Sequence, residues 1–360
     1  MSHWVSQPRQ LEALAERLDT APIALDTEFI RERTYYPRLA LVQLRAPNDD
    51  EHLIDPLALP EAGALAPALQ GTAIKIMHSP SEDMQAFLCG WNLVVEPVFD
   101  TQLAAAMVGL GAGLSYQALV EKLLGIHLEK GETRSDWLQR PLTESQRHYA
   151  AEDVRHLHAL HEILDRRLTD LGRRDWLTQD GARLIAATRD DAIDPNPHLT
   201  ARSAQRMERD AQIRLRRLLL WREAIARNRD KPRSWILDNE VVALLAHRIP
   251  DRTAFDTLID SNPRSPRRMR DELWETLSSP LTEEEHAIPL ASAAPDPTQR
   301  KILKAMQACV AEHAAALDLP EGLLCARRHL ETLLSTRRWP EALEGWRADI
   351  LQQDLMRLLP

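Results

Sequence analysis

Two carboxylates lie one residue apart in the segment IALDTEF, where Asp26 and Glu28 flank Thr27. The apolar residues before them predict a strand, and alternate side chains of a strand point to the same face. Both acids are therefore expected on one face of an otherwise apolar strand. Like charges at this spacing repel, and each resists removal from water. Such a pair needs a compensating partner, and an acidic site can hold cations.

A third carboxylate, Asp83, occurs in the segment HSPSEDMQAF. Ser79 and Glu82 have the spacing of a capping box, and Pro80 suits the first position of a helix. The pattern predicts a helix that begins directly after a strand ending at His78, with Asp83 in its first turn. Taken alone, Asp83 is better explained as an acid that the helix dipole favours.

A fourth carboxylate, Asp153, follows Tyr149 by one helical turn in the segment TESQRHYAAEDV. Thr143 and Gln146 form a possible capping box at the start of this helix. Residues four apart on a helix point the same way, so Tyr149 and Asp153 are expected side by side. In isolation, a tyrosine and an aspartate on a half-buried helix are a common surface pair.

The four carboxylates together indicate a metal site if the fold brings them to one place. Four converging acids would be prohibitive without cations, whereas two Mg²⁺ or Mn²⁺ ions would turn them into a hard-oxygen metal site. Such a metal pair activates a water on one side of a phosphodiester and stabilises the leaving oxygen on the other. The chemistry that these residues favour is therefore hydrolysis of a nucleic acid.

The elements that would position these residues form a mixed sheet. Apolar runs with short connections predict three antiparallel strands, and helices separate the later strands, which indicates a sheet flanked by helices. A helix is expected near Glu61–Gln70. The predicted strands are Ile23–Phe29, Arg38–Leu44, 52–56, Thr72–His78 and 93–100.

The second half of the chain is helical in pattern, with apolar residues at three- and four-residue spacing. Proline-rich breaks at Thr188–Thr200 and Ala287–Gln299 divide it into two modules of similar size. The expected domains begin with a nuclease-like α/β domain at 1–170 and a helix with linker at 171–205. A helical bundle at 206–286, a second linker at 287–298 and a second bundle at 299–360 follow.

Charge is unevenly distributed along the 360 residues, whose net charge is −9. Acids outnumber bases over residues 1–170, and a basic stripe follows between Arg202 and Arg233. The stripe is equally well explained as a site for nucleic-acid phosphates or as a solvated helix face. Its candidate phosphate contacts are Arg214, Arg216, Arg217, Arg222, Lys231 and Arg233.

The sequence has three scattered cysteines and no C-x-x-C pair. The cysteines are Cys89, Cys309 and Cys325. This count and spacing argue against a disulfide framework and against a zinc site. No apolar run approaches the length of a membrane span, and the N-terminus lacks the pattern of a signal peptide. The sequence therefore predicts a cytoplasmic protein without a membrane partner, and no protein partner is indicated.

At these residues the sequence resembles the DEDD superfamily of 3′→5′ exonucleases, tyrosine subtype, and most closely its bacterial ribonuclease D branch. The resemblance rests on DTEF at Asp26–Phe29, on His78 with Asp83, and on YAAED at Tyr149–Asp153. The segment RSWILDNEVV resembles an HRDC domain, the helical module shared by helicases and ribonuclease D. The resemblance is strong over 1–170, moderate over about 206–286, and weak from 299 onward, where a second HRDC-like bundle is expected from size and helicity.

The resemblance implies a ribonuclease H-like α/β fold with a mixed sheet flanked by helices, followed by two all-α HRDC-like bundles. It also implies release of 5′-mononucleotides from RNA 3′ ends, 3′ maturation of tRNA precursors and other small structured RNAs, and two divalent metals. Asp26, Glu28 and Asp153 would hold the metal that carries the attacking water. Asp26 would bridge to the second metal with help from Asp83, and Tyr149 would orient the water.

Five further residues are weaker candidates for contact with the terminal nucleotide, and Gln43 and Gln102 among them could contact its sugar or phosphate. Phe29 could stack on the terminal base, but strand alternation points it away from the carboxylates, which favours core packing unless the strand ends or bulges there. A hydrogen-bonded structural role for His78 is as well supported as a contact with the nucleotide. Asp100 and Trp137 are better explained as a helix cap and a core anchor. The five are Thr27, Phe29, Gln43, His78 and Gln102.

Two other functions remain open at this point. The same carboxylates would serve a 3′→5′ DNA exonuclease, because the 2′-hydroxyl alone distinguishes the substrates. A non-catalytic nucleic-acid-binding module built from helical bundles is the third candidate. The full carboxylate set argues against it, since binding alone favours lysine and arginine over converging acids.

Overall fold

The computed structural model describes residues 2–18, 20–129, 131–132, 135–262, 265–291 and 296–359. Its contacts divide the chain into two compact units. The first unit comprises Met1–Ile30, Pro37–Asp191 and Lys301–Pro360, and the second comprises Arg31–Tyr36 and Ala192–Arg300. The segment after residue 300, expected from sequence as a separate bundle, thus belongs by its contacts to the first unit. Among the described residues, no helix has the length and apolar character needed to span a bilayer.

A six-stranded mixed sheet forms the centre of the first unit, with the order β1-β4-β3-β2-β5-β6. The strands β2, β3 and β4 form an antiparallel meander, while β1 pairs with β4, and β5 with β2 and β6, in parallel. This arrangement confirms the predicted fold class. The strands are β1 His3–Val5, β2 Ile23–Ile30, β3 Arg38–Arg45, β4 His52–Ile54, β5 Lys75–Met77 and β6 Val98–Asp100.

Helices cover both faces of this sheet. One core cluster contains Leu25, Val42 and Phe87, and another contains Ala24, Ile76 and Leu157, so adjacent β2 residues point into different cores. The helices before residue 191 are α1 Pro8–Ala15, α2 Ala66–Leu69, α3 Ser81–Trp91, α4 Thr101–Met107, α5 Tyr116–Leu124, α6 Glu144–Arg155, α7 Leu157–Asp170 and α8 Arg174–Arg189.

The second unit is helical and has its own core, which includes Leu218, Leu245, Phe255 and Leu273. Its long helix presents buried residues along much of its length, as the three- and four-residue spacing predicts. Its helices are α9 Arg209–Arg229, α10 Arg233–Ile236, α11 Asn239–His247, α12 Arg252–Ser261, α13 Arg270–Ser278 and α14 Glu283–His286.

The C-terminal helices return to the first unit and extend the core that contains Leu157. Trp346 is 1 % exposed and stacks on Trp176 with ring centroids 4.5 Å apart. Leu303 and Met306 are buried in the same cluster as Leu157. The helices are α15 Pro297–Ala316, α16 Glu321–Leu324, α17 Arg327–Thr336 and α18 Trp346–Arg357.

Several local predictions differ from the structure. The helix expected near Glu61–Gln70 is a 3₁₀ turn at Gly63–Leu65 followed by the single turn α2. The capping box of Ser79 and Glu82 is wrong, because α3 begins at Ser81 and Ser79 has a positive φ of 56°. The box of Thr143 and Gln146 is confirmed at α6.

Candidate active site

The fold brings Asp26, Glu28 and Asp153 together. Each offers a carboxylate oxygen, and these oxygens lie within 4.8 Å of one another. Strand alternation in β2 places Asp26 and Glu28 on one face, and the Thr143 cap sets the start of α6 so that Asp153 falls in its last turns. The helix α6 packs against this face through Ala150, beside Leu41 of β3.

The fourth carboxylate, Asp83, is held in a different way. Its Oδ1 accepts a hydrogen bond of 2.5 Å from the Thr27 hydroxyl, and Thr27 is 6 % exposed. The charge of Asp83 also acts on Asp26 and Glu28 and helps to raise the pKa of each. Asp83 lies in the first turn of α3, as predicted. Among the described residues, the cluster itself contains only Asp26, Glu28 and Asp153.

Burial and mutual repulsion keep these acids from ionising in the usual range. Burial, with the nearby charges of Asp83, Asp153 and Glu28, raises the pKa of Asp26 well above its ordinary value. Burial, with Asp153 and Asp83, raises the pKa of Glu28 to about 9. Burial also raises the pKa of Asp83 to about 6 and that of Asp153 to about 7. A cation would reverse the repulsion, because it favours the charged form of every carboxylate that it touches.

Tyr149 adjoins this cluster from one turn earlier on α6. Its hydroxyl hydrogen-bonds to the Asp153 carboxylate, and burial followed by repulsion from Asp153 raises the pKa of Tyr149 above its ordinary range. The ring centroids of Tyr149 and Trp137 lie 6.1 Å apart. Trp137 is buried, which confirms its predicted position in the core. Burial and the neighbouring acids thus favour the protonated form of the Tyr149 hydroxyl.

Gly131 is a neighbour of Tyr149 that sequence reasoning missed. A Cβ added at Gly131 would overlap the Tyr149 ring, so the backbone here approaches the ring more closely than any other residue type allows. The sequence offers no signal for this contact, because a glycine in a loop usually reflects a turn in the backbone and says nothing about a neighbouring ring.

Gln43 sits beside the cluster with an unmatched amide. It is fully buried and pairs directly with Asp26 across the β2–β3 ladder. Neither its amide nitrogen nor its amide oxygen has a hydrogen-bond partner among the described residues. A buried amide of this kind is costly unless water or a ligand meets it. Gln43 thus places an unsatisfied amide directly across the ladder from Asp26.

The remaining nucleotide-contact candidates have structural partners. Phe29 follows a bulge after Glu28 and packs into the core that contains Leu25. The His78 Nε2 donates to the Leu114 carbonyl oxygen over 3.0 Å, and burial lowers the pKa of His78 to about 4. Gln102 donates to the same carbonyl over 2.9 Å.

Asp100 caps α4, as the sequence predicted. Its carboxylate accepts from the amides of Gln102 and Leu103 and also from Ser79, at 2.8 to 3.2 Å. This set of contacts accounts for Asp100 as a structural residue.

The basic stripe of the second unit is largely occupied by internal contacts. Arg217 pairs with Glu285, and Arg233 pairs with Glu223. Arg222 is 7 % exposed and donates to the Leu237 carbonyl. Arg214 and Arg216 donate to the carbonyls of Ala246 and Pro195, whereas Lys231 is exposed. Most of the candidate phosphate contacts in the stripe thus have partners within the protein.

The donor set of the cluster fits a hard divalent cation. Three carboxylates supply oxygen ligands and no nitrogen or sulfur, which is the preference of Mg²⁺ and Mn²⁺. Burial and repulsion raise the pKa values of these acids, and a bound cation would relieve that repulsion. The Gln43 amide, which has no hydrogen-bond partner among the described residues, would be satisfied by a water at the site.

The mixed sheet flanked by helices, with its acidic cluster, is that of a 3′→5′ exonuclease, as a family model matched over residues 2–169 shows. Two family models match the chain: "3′-5′ exonuclease" over residues 2–169, and "Ribonuclease D, C-terminal HRDC domain" over 297–355. The chain belongs to the ribonuclease D family of hydrolytic 3′→5′ exoribonucleases.

The relatives cover essentially the whole chain. Ribonuclease D of Xanthomonas oryzae is 49% identical over 100% of this chain and 99% of its own length. Ribonuclease D of Pseudomonas paraeruginosa is 35% identical over 99% of this chain and 97% of its own length. The crystal structure of Escherichia coli RNase D, described as an exoribonuclease involved in structured RNA processing, superimposes with a TM-score of 0.85 at 29% identity and covers 99% of this chain and 98% of its own.

Proposed function

We propose that Asp26, Glu28 and Asp153, with Asp83 and Tyr149, form the catalytic centre of this exoribonuclease. The observation that carries the proposal is the cluster of three carboxylate oxygens within 4.8 Å on the face of β2, with the Tyr149 hydroxyl on Asp153. Two divalent ions, Mg²⁺ or Mn²⁺, would supply an activated water and stabilise the leaving oxygen. Asp26, Glu28 and Asp153 would hold the first ion, and Asp26 with Asp83 the second.

The protein residues have separate tasks in this proposal. The carboxylates fix the ions, and their raised pKa values mean that metal binding must displace protons. The Tyr149 hydroxyl stays protonated and orients the attacking water by a hydrogen bond. The Gln43 amide, which pairs with Asp26 across the ladder and has no partner among the described residues, would bond a site water or the terminal nucleotide. The product is a 5′-mononucleotide, and the RNA 3′ end is shortened by one residue.

The substrates that we infer are structured RNAs with 3′ extensions, among them tRNA precursors. The Escherichia coli structure is described as that of an enzyme of structured RNA processing. We infer that 206–286 is an HRDC domain that contributes contacts to the RNA backbone, with the exposed Lys231 as the first candidate in the stripe. Because Arg217 and Arg222 already have internal partners, they are weaker candidates.

The test is an exonuclease assay on a 3′-extended tRNA and on a DNA strand of matched sequence, in Mg²⁺, in Mn²⁺ and with EDTA. We expect stepwise release of mononucleotides from the RNA, and loss of activity with EDTA and in Asp26→Asn. Glu61→Gln, which neutralises an exposed acid outside the cluster, is the matched control and should retain full activity. Internal fragments, activity that survives chelation, or preference for the DNA strand would contradict the proposal.

A further inference from the structure

A second cluster of possible metal ligands lies on the C-terminal helices, away from the carboxylates of β2. Cys309 and His313 are four residues apart on α15, so their side chains share one face of that helix. Asp354 reaches them from α18. One ligand atom from each residue lies within 4.8 Å of the other two, and the His313 Nε2 is 3.0 Å from Asp354 Oδ2.

These separations are close to what a tetrahedral zinc ion requires. Bond lengths of about 2.0 Å to nitrogen or oxygen and about 2.3 Å to sulfur place the ligand atoms roughly 3.3–3.6 Å apart. Small rotations of three side chains would bring the cluster to that spacing. The cluster is also open to solution, since His313 and Asp354 are 32% and 42% exposed. An ion can therefore reach it without opening the core.

The donor types select the metal. A thiolate, an imidazole and a carboxylate form a mixed set that suits zinc, whereas Mg²⁺ takes oxygen ligands. The thiolate of Cys309 and the carboxylate of Asp354 would together balance a doubly charged ion.

The hydrogen bond between His313 and Asp354 does not explain why the Cys309 thiol lies beside them. That bond is complete without a sulfur nearby, and Arg357 pairs with the other oxygen of Asp354. Cys309 lies at the edge of the core instead of deep in it. The position of its thiol next to the pair is what turns a surface hydrogen bond into a three-ligand set.

We propose that Cys309, His313 and Asp354 form a zinc site that fastens α15 to α18. Its fourth position is open to water or to an outside ligand. The site is independent of the exonuclease centre and stabilises the C-terminal bundle, because ligands from two helices must come together to hold the ion. The sequence expectation of no zinc site rested on the absence of close cysteine pairs, and it did not consider ligands that the fold assembles from distant positions.

The experiment uses cobalt as a spectroscopic substitute for zinc in the full-length protein. Co²⁺ is titrated in saturating Mg²⁺, and the thiolate-to-cobalt charge-transfer band in the near ultraviolet is recorded. The carboxylates of the exonuclease centre include no sulfur, so this band reports the proposed site alone. We expect one equivalent of the band in the wild type and in Asp26→Asn, and its displacement by one equivalent of Zn²⁺.

Variants separate the proposed site from other thiols. Cys309→Ser should lose the band completely, and Asp354→Asn should weaken Co²⁺ binding by at least about 10-fold. Cys89→Ser is the matched control and should keep the band unchanged, since Cys89 is an exposed cysteine outside the cluster. Zn²⁺ should raise the melting temperature of the wild type and of Cys89→Ser but not that of Cys309→Ser, whose exonuclease activity in Mg²⁺ shows that it is folded. A band that persists in Cys309→Ser, or a wild type that takes up Co²⁺ without the band, would overturn the proposal.

Discussion

Neutralising Asp153 should stabilise the metal-free protein while it abolishes catalysis. Burial, followed by repulsion from Asp83, opposes ionisation of Asp153 and raises its pKa from 3.8 to about 7. Between these two pH values the unfolded chain releases the proton and the folded chain keeps it, so stability falls as pH rises. At about 1.36 kcal/mol per pH unit, the accumulated cost above pH 7 is about 4 kcal/mol.

Asparagine keeps the shape of Asp153 and an acceptor for the Tyr149 hydroxyl, but it carries no charge. We expect Asp153→Asn to raise the unfolding free energy of the metal-free protein by about 2–4 kcal/mol at pH 8 and by close to zero at pH 4. At roughly 2–4 °C per kcal/mol, this corresponds to a melting temperature about 4–16 °C higher at pH 8.

The assay is thermal unfolding in EDTA at several pH values, repeated in Mg²⁺. In Mg²⁺ the wild type should gain stability and Asp153→Asn should gain much less, since it has lost a ligand. Glu152→Gln is the matched control, because Glu152 is the preceding residue of α6 and pairs with Arg155. A variant that melts at or below the wild-type temperature at pH 8, or a difference that does not change with pH, would refute the electrostatic reasoning.

Four other substitutions test separate parts of the structure. Tyr149→Phe should lower kcat by about 10²-fold with little change in KM, measured by steady-state release of mononucleotides, and an unchanged kcat would contradict the role of the hydroxyl. Gly131→Ala should lower kcat by about 10–100-fold by displacing the Tyr149 ring, while Gly322→Ala, at a glycine with open space, should not. Gln43→Leu should raise the melting temperature in EDTA, because it removes a buried amide that has no hydrogen-bond partner. The same variant should weaken Mn²⁺ binding in calorimetry by about 10-fold, and equal affinity would contradict a role for Gln43 at the metal site. Trp346→Ala should cost about 3–5 kcal/mol in denaturant unfolding, whereas Trp235→Ala, at a residue 46% exposed, should cost little.

The sequence was most informative where short-range rules decide the outcome. Alternation along β2 correctly placed Asp26 and Glu28 on one face, and the Thr143 capping box correctly set the start of α6. The helical repeat then placed Tyr149 beside Asp153. Each of these inferences depends on residues within one or two turns, so no knowledge of the tertiary fold was needed.

The sequence was least informative where distant segments meet. The pairing of β1 with β4 joins segments far apart in the chain, and a three-residue strand such as His3–Val5 carries little pattern of its own. The packing of Trp346 on Trp176 likewise depends on long-range contacts that no local period reports. The internal salt bridges of Arg217 could not be foreseen, because a basic residue on a helix does not reveal its partner.

The metal dependence of RNA hydrolysis at the β2 carboxylates is the central claim. The most direct test measures, in one preparation, Mn²⁺ binding and the rate of mononucleotide release from a 3′-labelled RNA as Mn²⁺ is increased. We expect binding and rate to rise together in the wild type, with proton release on binding, and both to be lost in Asp26→Asn. Full activity in Asp26→Asn, or Mn²⁺ binding at the cluster that leaves the rate unchanged, would contradict the account.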